Sequence, residues 1–422
     1  MTPSIAIVGG GAGGIFAALA ASRTAREQTI AMEVHLFERN PRLGIKILIS
    51  GGGKCNITHA GTIEELLIEG FPRKTEQRFL KSAMYRYTNE EVIALLGMQN
   101  VSVHARENGR VFPDSGRAED VLLALEQELR KQHVSVHTNS RIESVAHTED
   151  GNWNIECNGE IITAHALVLA TGGTSYSKTG TTGDGIGYAR ELGHTIVPVR
   201  AALAPIYLKE APAQSLVGIS LRNINISVTR NGKILASRRG DVLITHRGLS
   251  GPAILSISNQ AAMLIEGGPI SIHANIGGHN EDGTRAMLIA EQQSNPKQQV
   301  KTYLESLLPN HFVPFVMEQA EVPSDRKWHE LTRDERARLV STLVHYSFGE
   351  VSEVPLERGE VTSGGVALGE VDPKTMMSRV RPGLFFAGEM LDVAGEIGGY
   401  NLQAAYSTGW VAGESAVDFL NA

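Results

Sequence analysis

The sequence predicts an α/β fold, a discontinuous domain built on a parallel sheet and interrupted by an antiparallel β domain that carries a small helical subdomain. Three observations predict it. The apolar run Ile5-Ala6-Ile7-Val8 breaks into Gly9-Gly10-Gly11-Ala12-Gly13-Gly14 and resumes as Ile15-Phe16-Ala17-Ala18-Leu19-Ala20. Apolar runs that stop on glycine recur at Ala166–Ala170 and at Leu384–Ala387. Between them, from about residue 195, the pattern changes to the alternation of half-buried strands.

The first run reads as a buried parallel strand and the Ala-rich continuation as a helix, with the glycines on the turn between. In such a turn Gly9 permits the tight bend, Gly11 lets a pyrophosphate approach the backbone, and Gly14 lets the helix lie close to the strand. A second strand, Val34-His35-Leu36-Phe37, ends on Glu38, where a carboxylate can accept hydrogen bonds from ribose hydroxyls. Strand, fingerprint, helix, strand and acid in that order predict a Rossmann-like dinucleotide-binding domain.

The chain of 422 residues exceeds one ordinary core, so two or three domains are expected. Composition is that of a soluble globular protein, 42% hydrophobic and 20% charged, and the net charge of −7 argues against a nucleic-acid surface. Cys55 and Cys157 are the two cysteines and form no CxxC, which leaves a disulfide framework, a cysteine zinc site and a dithiol centre unsupported; no metal is expected. No run reaches the ~18 apolar residues of a membrane span, and the chain enters its first strand without a leader pattern, so a cytoplasmic protein is expected. Oligomeric state has no signal in the sequence.

After Glu38 and Arg39, Lys46 precedes Ser50-Gly51-Gly52-Gly53-Lys54-Cys55-Asn56. Three bare glycines among the polar groups of Lys46, Ser50, Lys54 and Asn56 form a loop whose backbone can lie against a flat or anionic ligand. Residues 60–118 read as mixed helices and loops, with Arg110-Val111-Phe112-Pro113 extended. A helix over Ala118–Gln132 leads to a strand at Val134–Thr138. Arg141–Val145 can turn back under an adenine near Ile142, and Trp153–Cys157 with Glu160–Thr163 form a hairpin. The strand Ala166–Ala170 ends on Thr171-Gly172-Gly173, again offering backbone at the carboxyl edge of a sheet; Asp184 then opens a helix to about Leu192.

The nucleotide-binding domain is expected over residues 1–194 and 355–422, the β-rich insertion over 195–283, and a helical subdomain over 284–354. Asn231-Gly232 marks a hairpin turn, and Leu243–Pro252 a strand ending in a polar turn that carries His246. The mixed charges of Arg333–Arg338 suit a solvated helix face. The final stretch returns to the first style, with Gly388-Glu389 after a buried strand and Gly398-Gly399-Tyr400-Asn401-Leu402 opening a small-residue helix through about Val417.

Ser50–Asn56, Gly248-Leu249-Ser250-Gly251-Pro252 and Gly388-Glu389 through Gly398-Gly399-Tyr400-Asn401 together resemble the bacterial aminoacetone oxidase and BaiN-type flavoprotein family, within the two-dinucleotide-fold flavoproteins. The resemblance spans the whole chain. Where that family usually has Arg and Asn, this chain has Lys54 and His59, and Lys54 cannot make a bidentate contact. The resemblance implies FAD bound extended: phosphates at Gly11 and Ala12, the AMP ribose at Glu38, adenine at the backbone of Ile142 and the ribityl chain at Glu389. It places the isoalloxazine between the Ser50–Asn56 loop and Gly399–Leu402. The expected cofactor-binding set also takes in Gly9, Gly14, Arg39, Lys46, Ser50, Gly52, Gly53, Asn56, Thr171, Gly172, Asp184 and Gly388.

The resulting expectation is an FAD-dependent oxidoreductase that passes a hydride between flavin N5 and a small substrate held between the flavin and the inserted domain, with His246 and Tyr400 as candidate acid–base groups. The alternatives are a non-catalytic flavin-binding or electron-carrier protein and a flavin-dependent RNA-modifying enzyme. No second GxGxxG follows a strand, so any NAD(P)H is expected to act as a transient donor. Glycines at 398 and 399 are expected to bring the start of the last helix against the flavin edge.

Overall fold

The computed structural model describes residues 2–422. The chain divides into two compact units, Met1–Arg200 with Glu360–Ala422, and Ala201–Gly359. The first is organised on a five-stranded sheet in the order Leu384–Phe386, Ala166–Leu169, Ser4–Val8, Glu33–Phe37, Ser135–His137, with every neighbouring pair parallel. The strands Ser4–Val8 and Ala166–Leu169 are buried along their whole length, which is why they read as unbroken apolar runs rather than alternations.

The first helix, Ala12–Glu27, lies against the C-terminal helix, Tyr400–Asn421. A Cβ on Gly409 would overlap the carbonyl oxygen of Gly13, and one on Gly413 that of Ala17, so the two helices touch backbone to backbone. The first helix begins at the carboxyl end of Ser4–Val8, where open α/β sheets hold their ligands. A small antiparallel sheet, Thr58–His59 with Arg110–Pro113 and Val103–Ala105, belongs to the same unit. So does a three-stranded one made of Ile142–His147, Trp153–Cys157 and Glu160–Ala164.

The second unit is a closed six-stranded barrel in the order Ile206–Leu208, Gly248–Ser250, Lys233–Thr245, Ser220–Arg230, Ser271–Asn275, Tyr346–Glu353, with its own core. Its helices include Pro252–Ile265, Glu281–Ser294 and Arg333–Val344. In the helical subdomain expected over 284–354 the last α-helix ends at Val344, and Tyr346–Glu353 is a barrel strand. Gly349 and register shifts against both neighbours break the alternation that would have announced it. Phe312 and Leu339 share one core with Ile226 and Ile272, so helices and strands form a single unit.

Candidate functional site

At the first turn, Gly9 has φ +110° and donates its N–H to the Phe37 carbonyl at 2.8 Å. A side chain at Gly9 or Gly14 would strike backbone, Ala170 in one case and the Gly9 carbonyl in the other; Gly11 by contrast has nothing within 4 Å of where a Cβ would stand. The first intrahelical bond is Ile15 N–H to Gly11 O, and no side chain caps the helix. The N–H groups of Ala12, Gly13 and Gly14 therefore open onto the free face of Gly11, the arrangement a pyrophosphate requires.

Glu38 sits against this turn, 8% exposed. Its Oε2 accepts from Gly10 N–H at 2.8 Å, and its Oε1 accepts from the Asn40 backbone and side-chain amides at 2.8 and 2.6 Å. Burial pushes its carboxyl up, against the opposing pull of those three donors. Arg39 donates to Thr182 Oγ1 at 2.6 Å and pairs with Asp184 at 3.3 Å, which Arg141 also reaches. These two expected cofactor residues thus hold each other. Ile142 is buried, and its carbonyl accepts the Tyr188 hydroxyl at 2.6 Å.

The glycine-rich loop begins as the last turn of a helix assigned over Ile45–Gly53, but the backbone leaves helical geometry at Ser50 and takes positive φ at Gly51, Gly52 and Gly53. Nothing lies within 4 Å of a Cβ on Gly52, and only a 3.9 Å neighbour meets one on Gly53. Ser50 does not project a free hydroxyl, since its Oγ donates to Ile47 O at 2.7 Å. Cys55 is fully buried and its thiol is pushed up to about 12 by burial, which leaves it inert. Asn56 links the loop to the last helix: with its amide oriented to satisfy both sides, it donates to Thr58 O at 3.2 Å and accepts from Gly399 N–H at 3.0 Å.

The third wall comes from the C-terminal return of the chain. Thr171 donates to the Met390 sulfur at 3.0 Å, Gly172 has φ +78°, and Gly388, at φ +63°, donates to Thr408 Oγ1 at 3.0 Å. Glu389 accepts from Lys46 Nζ at 2.6 Å, while Lys46 also donates to Ser175 Oγ at 2.9 Å. Gly388, Glu389, Asn401 and Ala405 line part of a shallow cleft. The last helix is capped by no side chain, and its first intrahelical bond is Gln403 N–H to Gly399 O. The N–H groups of Tyr400, Asn401 and Leu402 therefore carry the partial positive charge of a long helix without an internal acceptor.

Two expectations about this helix are corrected. A Cβ on Gly399 would stand 2.5 Å from the Thr58 carbonyl carbon, so the glycine accommodates the Thr58 backbone and not a flavin edge. Tyr400 is 5% exposed and lies at 4.8 Å ring to ring on His59; burial, with Glu69 beside it, pushes its hydroxyl up to about 12. It is a packing residue at the helix start, and its hydroxyl keeps its proton near neutrality. The other candidate, His246, is exposed on the Thr245–Gly248 turn of the barrel unit.

Sequence reasoning passed over several residues here. Thr362 is fully buried and its Oγ1 accepts from Thr174 and Ser175 N–H, fixing the turn that carries Lys46's partner. Arg73 pairs with buried Glu76 at 2.7 Å and Asp392 at 2.9 Å, pinning the segment between Glu389 and Asn401. Their signal was slight, single polar residues scattered through the chain. Two uncapped helix starts, open glycine faces at Gly11 and Gly52, and a carboxylate at the end of the second strand fit an extended dinucleotide with a flat ring. Among the described residues no cluster could hold a metal ion, and no helix is long and apolar enough to cross a membrane.

A model of the HI0933-like protein Rossmann domain matches residues 3–415. The chain belongs to this family. As an HI0933-like protein it is a Rossmann-fold FAD flavoprotein oxidoreductase. A curated relative from Haemophilus influenzae, named ribosomal RNA dihydrouridine synthase, is 33% identical over 409 residues, 96% of each chain. One from Clostridium scindens, named 3-dehydro-bile acid delta(4,6)-reductase, is 31% identical over 424 residues, 98% of this chain and 99% of its own. The latter fits the BaiN-type side of the resemblance; the aminoacetone oxidase side rests on the motifs alone. A solved structure of Escherichia coli quinol fumarate reductase shares the fold, with a TM-score of 0.51 at 16% identity, over all of this chain and 71% of its own.

Proposed function

We propose that this HI0933-like protein is an FAD-dependent reductase that saturates a carbon–carbon double bond conjugated to a carbonyl. The observation that carries the reading is chemical. A uracil reduced to dihydrouridine and a delta(4,6) 3-oxo bile acid are unlike molecules, yet each offers a C=C in conjugation with C=O, and relatives named for each match this chain end to end. Bound FAD supplies two-electron hydride chemistry at its ring.

This chain's residues hold and bias that ring. The Ala12–Gly14 N–H groups take the pyrophosphate, Glu38 the ribose, and Lys46 with Glu389 the ribityl side. The Tyr400–Leu402 N–H groups stabilise negative charge at the pyrimidine end. Electrons come from NADH or NADPH, which leaves before the acceptor enters.

The net charge of −7 favours a free small molecule over RNA, in a protein of the cytoplasm. A second reading, a uracil within ribosomal RNA, is favoured by the name of the Haemophilus relative. The test reduces the holoprotein anaerobically with NADPH, then adds either a 3-oxo-Δ4 steroid or ribosomal RNA. Return of the oxidised flavin spectrum with a product heavier by two hydrogens identifies the acceptor. Reoxidation by oxygen or quinones alone overturns the reductase reading in favour of an oxidase or electron carrier.

A further inference from the structure

Six cationic side chains of the nucleotide-binding unit are half-buried: Arg39, Arg42, Lys46, Arg73, Arg110 and Arg200. Five are engaged. Arg39 bonds Thr182 and Asp184, Arg42 bonds Glu119, Lys46 bonds Glu389, Arg73 bonds Glu76 and Asp392, and Arg200 bonds the Pro198 carbonyl. The Arg110 guanidinium alone has no hydrogen bond, ion pair or ring contact among the described residues. A guanidinium carries five N–H donors in a fixed fork, and those of Arg110 are spent on no acceptor within the protein.

Its position gives those donors a use. Arg110 stands directly opposite His59 in the antiparallel pair, so the two side chains leave the same face. The His59 ring stacks on Tyr400, the first residue of the uncapped helix. Two residues along the strand and on the same face, Phe112 has a ring carbon 3.2 Å from where a Cβ on Gly51 would stand. Arg110 thus lies on the face shared with the glycine-rich loop and next to the N-terminus of the last helix, the two elements that fit the flat ring. It draws down both the Tyr400 hydroxyl and the Glu360 carboxyl, each of which burial pushes up.

We propose that Arg110 is the substrate-binding residue of this unit, holding a carbonyl or carboxylate oxygen of the acceptor beside the cofactor. The assignment rests on the reductase reading for its substrate class. Bound FAD would supply a hydride to the carbon β to the carbonyl; the C=C pair would then move into the bond between the α and carbonyl carbons, the C=O π pair onto the oxygen, and a proton from water on the α carbon would restore the carbonyl. A planar fork that stays protonated throughout suits an oxygen that gains and then loses negative charge.

Sulfite provides a test that needs no substrate. It donates its sulfur lone pair to oxidised flavin and bleaches the visible absorbance, and as an anion it is drawn by a cation on that face. FAD-loaded Arg110→Gln should bind sulfite at least about tenfold more weakly than the parent protein, and Arg110→Lys should recover most of the loss. If Arg110→Gln does not retain FAD, Arg110→Lys is read alone: sulfite affinity near the parent's with a clear fall in kcat/KM on the accepted C=C substrate supports the fork. Unchanged sulfite affinity in an FAD-replete Arg110→Gln protein overturns the proposal, as does a parent protein that takes up no sulfite. Should the sulfite result hold while no conjugated carbonyl is reduced, the substrate class falls and the place of Arg110 stands.

Discussion

Lys46 Nζ lies 2.6 Å from Glu389 Oε2, joining residues 343 positions apart on two walls of the same site. Both side chains are largely shielded, at 26% and 16% exposure, so the carboxylate depends on its cation more than a surface acid would. Replacing Lys46 with Met leaves the Glu389 carboxylate, proposed above to face the ribityl chain, without its cation. Fluorescence titration of the apoprotein should show FAD affinity falling about tenfold, roughly 1.4 kcal/mol, and Lys46→Arg should restore most of it.

Gly11 and Gly14 separate binding from folding. Gly11→Ala meets open space, so urea unfolding of the apoprotein should change by less than about 0.5 kcal/mol, while FAD binding weakens because the methyl enters the phosphate position. Gly14→Ala drives its methyl into the Gly9 carbonyl and should destabilise the apoprotein itself. Equal stability losses in the two variants would place the phosphates elsewhere.

At Gly399, φ is +94° and the obstacle is Thr58 backbone. Gly399→Ala is expected to cost the apoprotein on the order of 2–3 kcal/mol, the sum of left-handed strain and a forced backbone shift. The loss should be present without flavin. A stable apoprotein with a shifted potential would return this residue to the flavin edge.

Glu38 gives a pH dependence with a defined sign. Its carboxyl is raised by burial, so the native apoprotein binds the proton more tightly than the unfolded chain does. That contribution is whole below the ordinary carboxylate value and is lost as pH climbs through the raised one. Apoprotein Tm should therefore fall across this window in the parent and fall less in Glu38→Gln. An identical slope in both would remove Glu38 from the account.

Initial rates with NADPH and the acceptor should give parallel lines, since the chain's five-stranded parallel sheet is matched to one dinucleotide and the barrel unit is antiparallel. Intersecting lines would show both substrates bound together.

The three strands Ser4–Val8, Ala166–Leu169 and Leu384–Phe386 were legible because burial on both faces writes itself as apolar runs, each with a glycine within three residues of its end. The C-terminal helix was legible from Gly398-Gly399 and the small residues that meet Ala12–Glu27. What could not be read is what lies across from what. Nothing near Gly399 in sequence announces Thr58, nothing near Ile142 announces the Tyr188 hydroxyl, and Arg110 reads as one more surface cation until the partners of the other five are known. The strand Tyr346–Glu353 was hidden for a local reason, a glycine and irregular register that disrupt its period of two.

The contact between Gly409 and Gly413 and the first helix has a bearing on how the molecule comes into being. A ribosome makes Ser4–Val8 and Ala12–Glu27 first, but their neighbours Leu384–Phe386 and Tyr400–Asn421 emerge nearly the whole chain later. The barrel unit, contiguous over Ala201–Gly359, has all its residues in hand long before. The barrel unit can therefore complete its contacts on a shorter stretch of chain than the parallel sheet, whose strands close only across the residues between Val8 and Leu384.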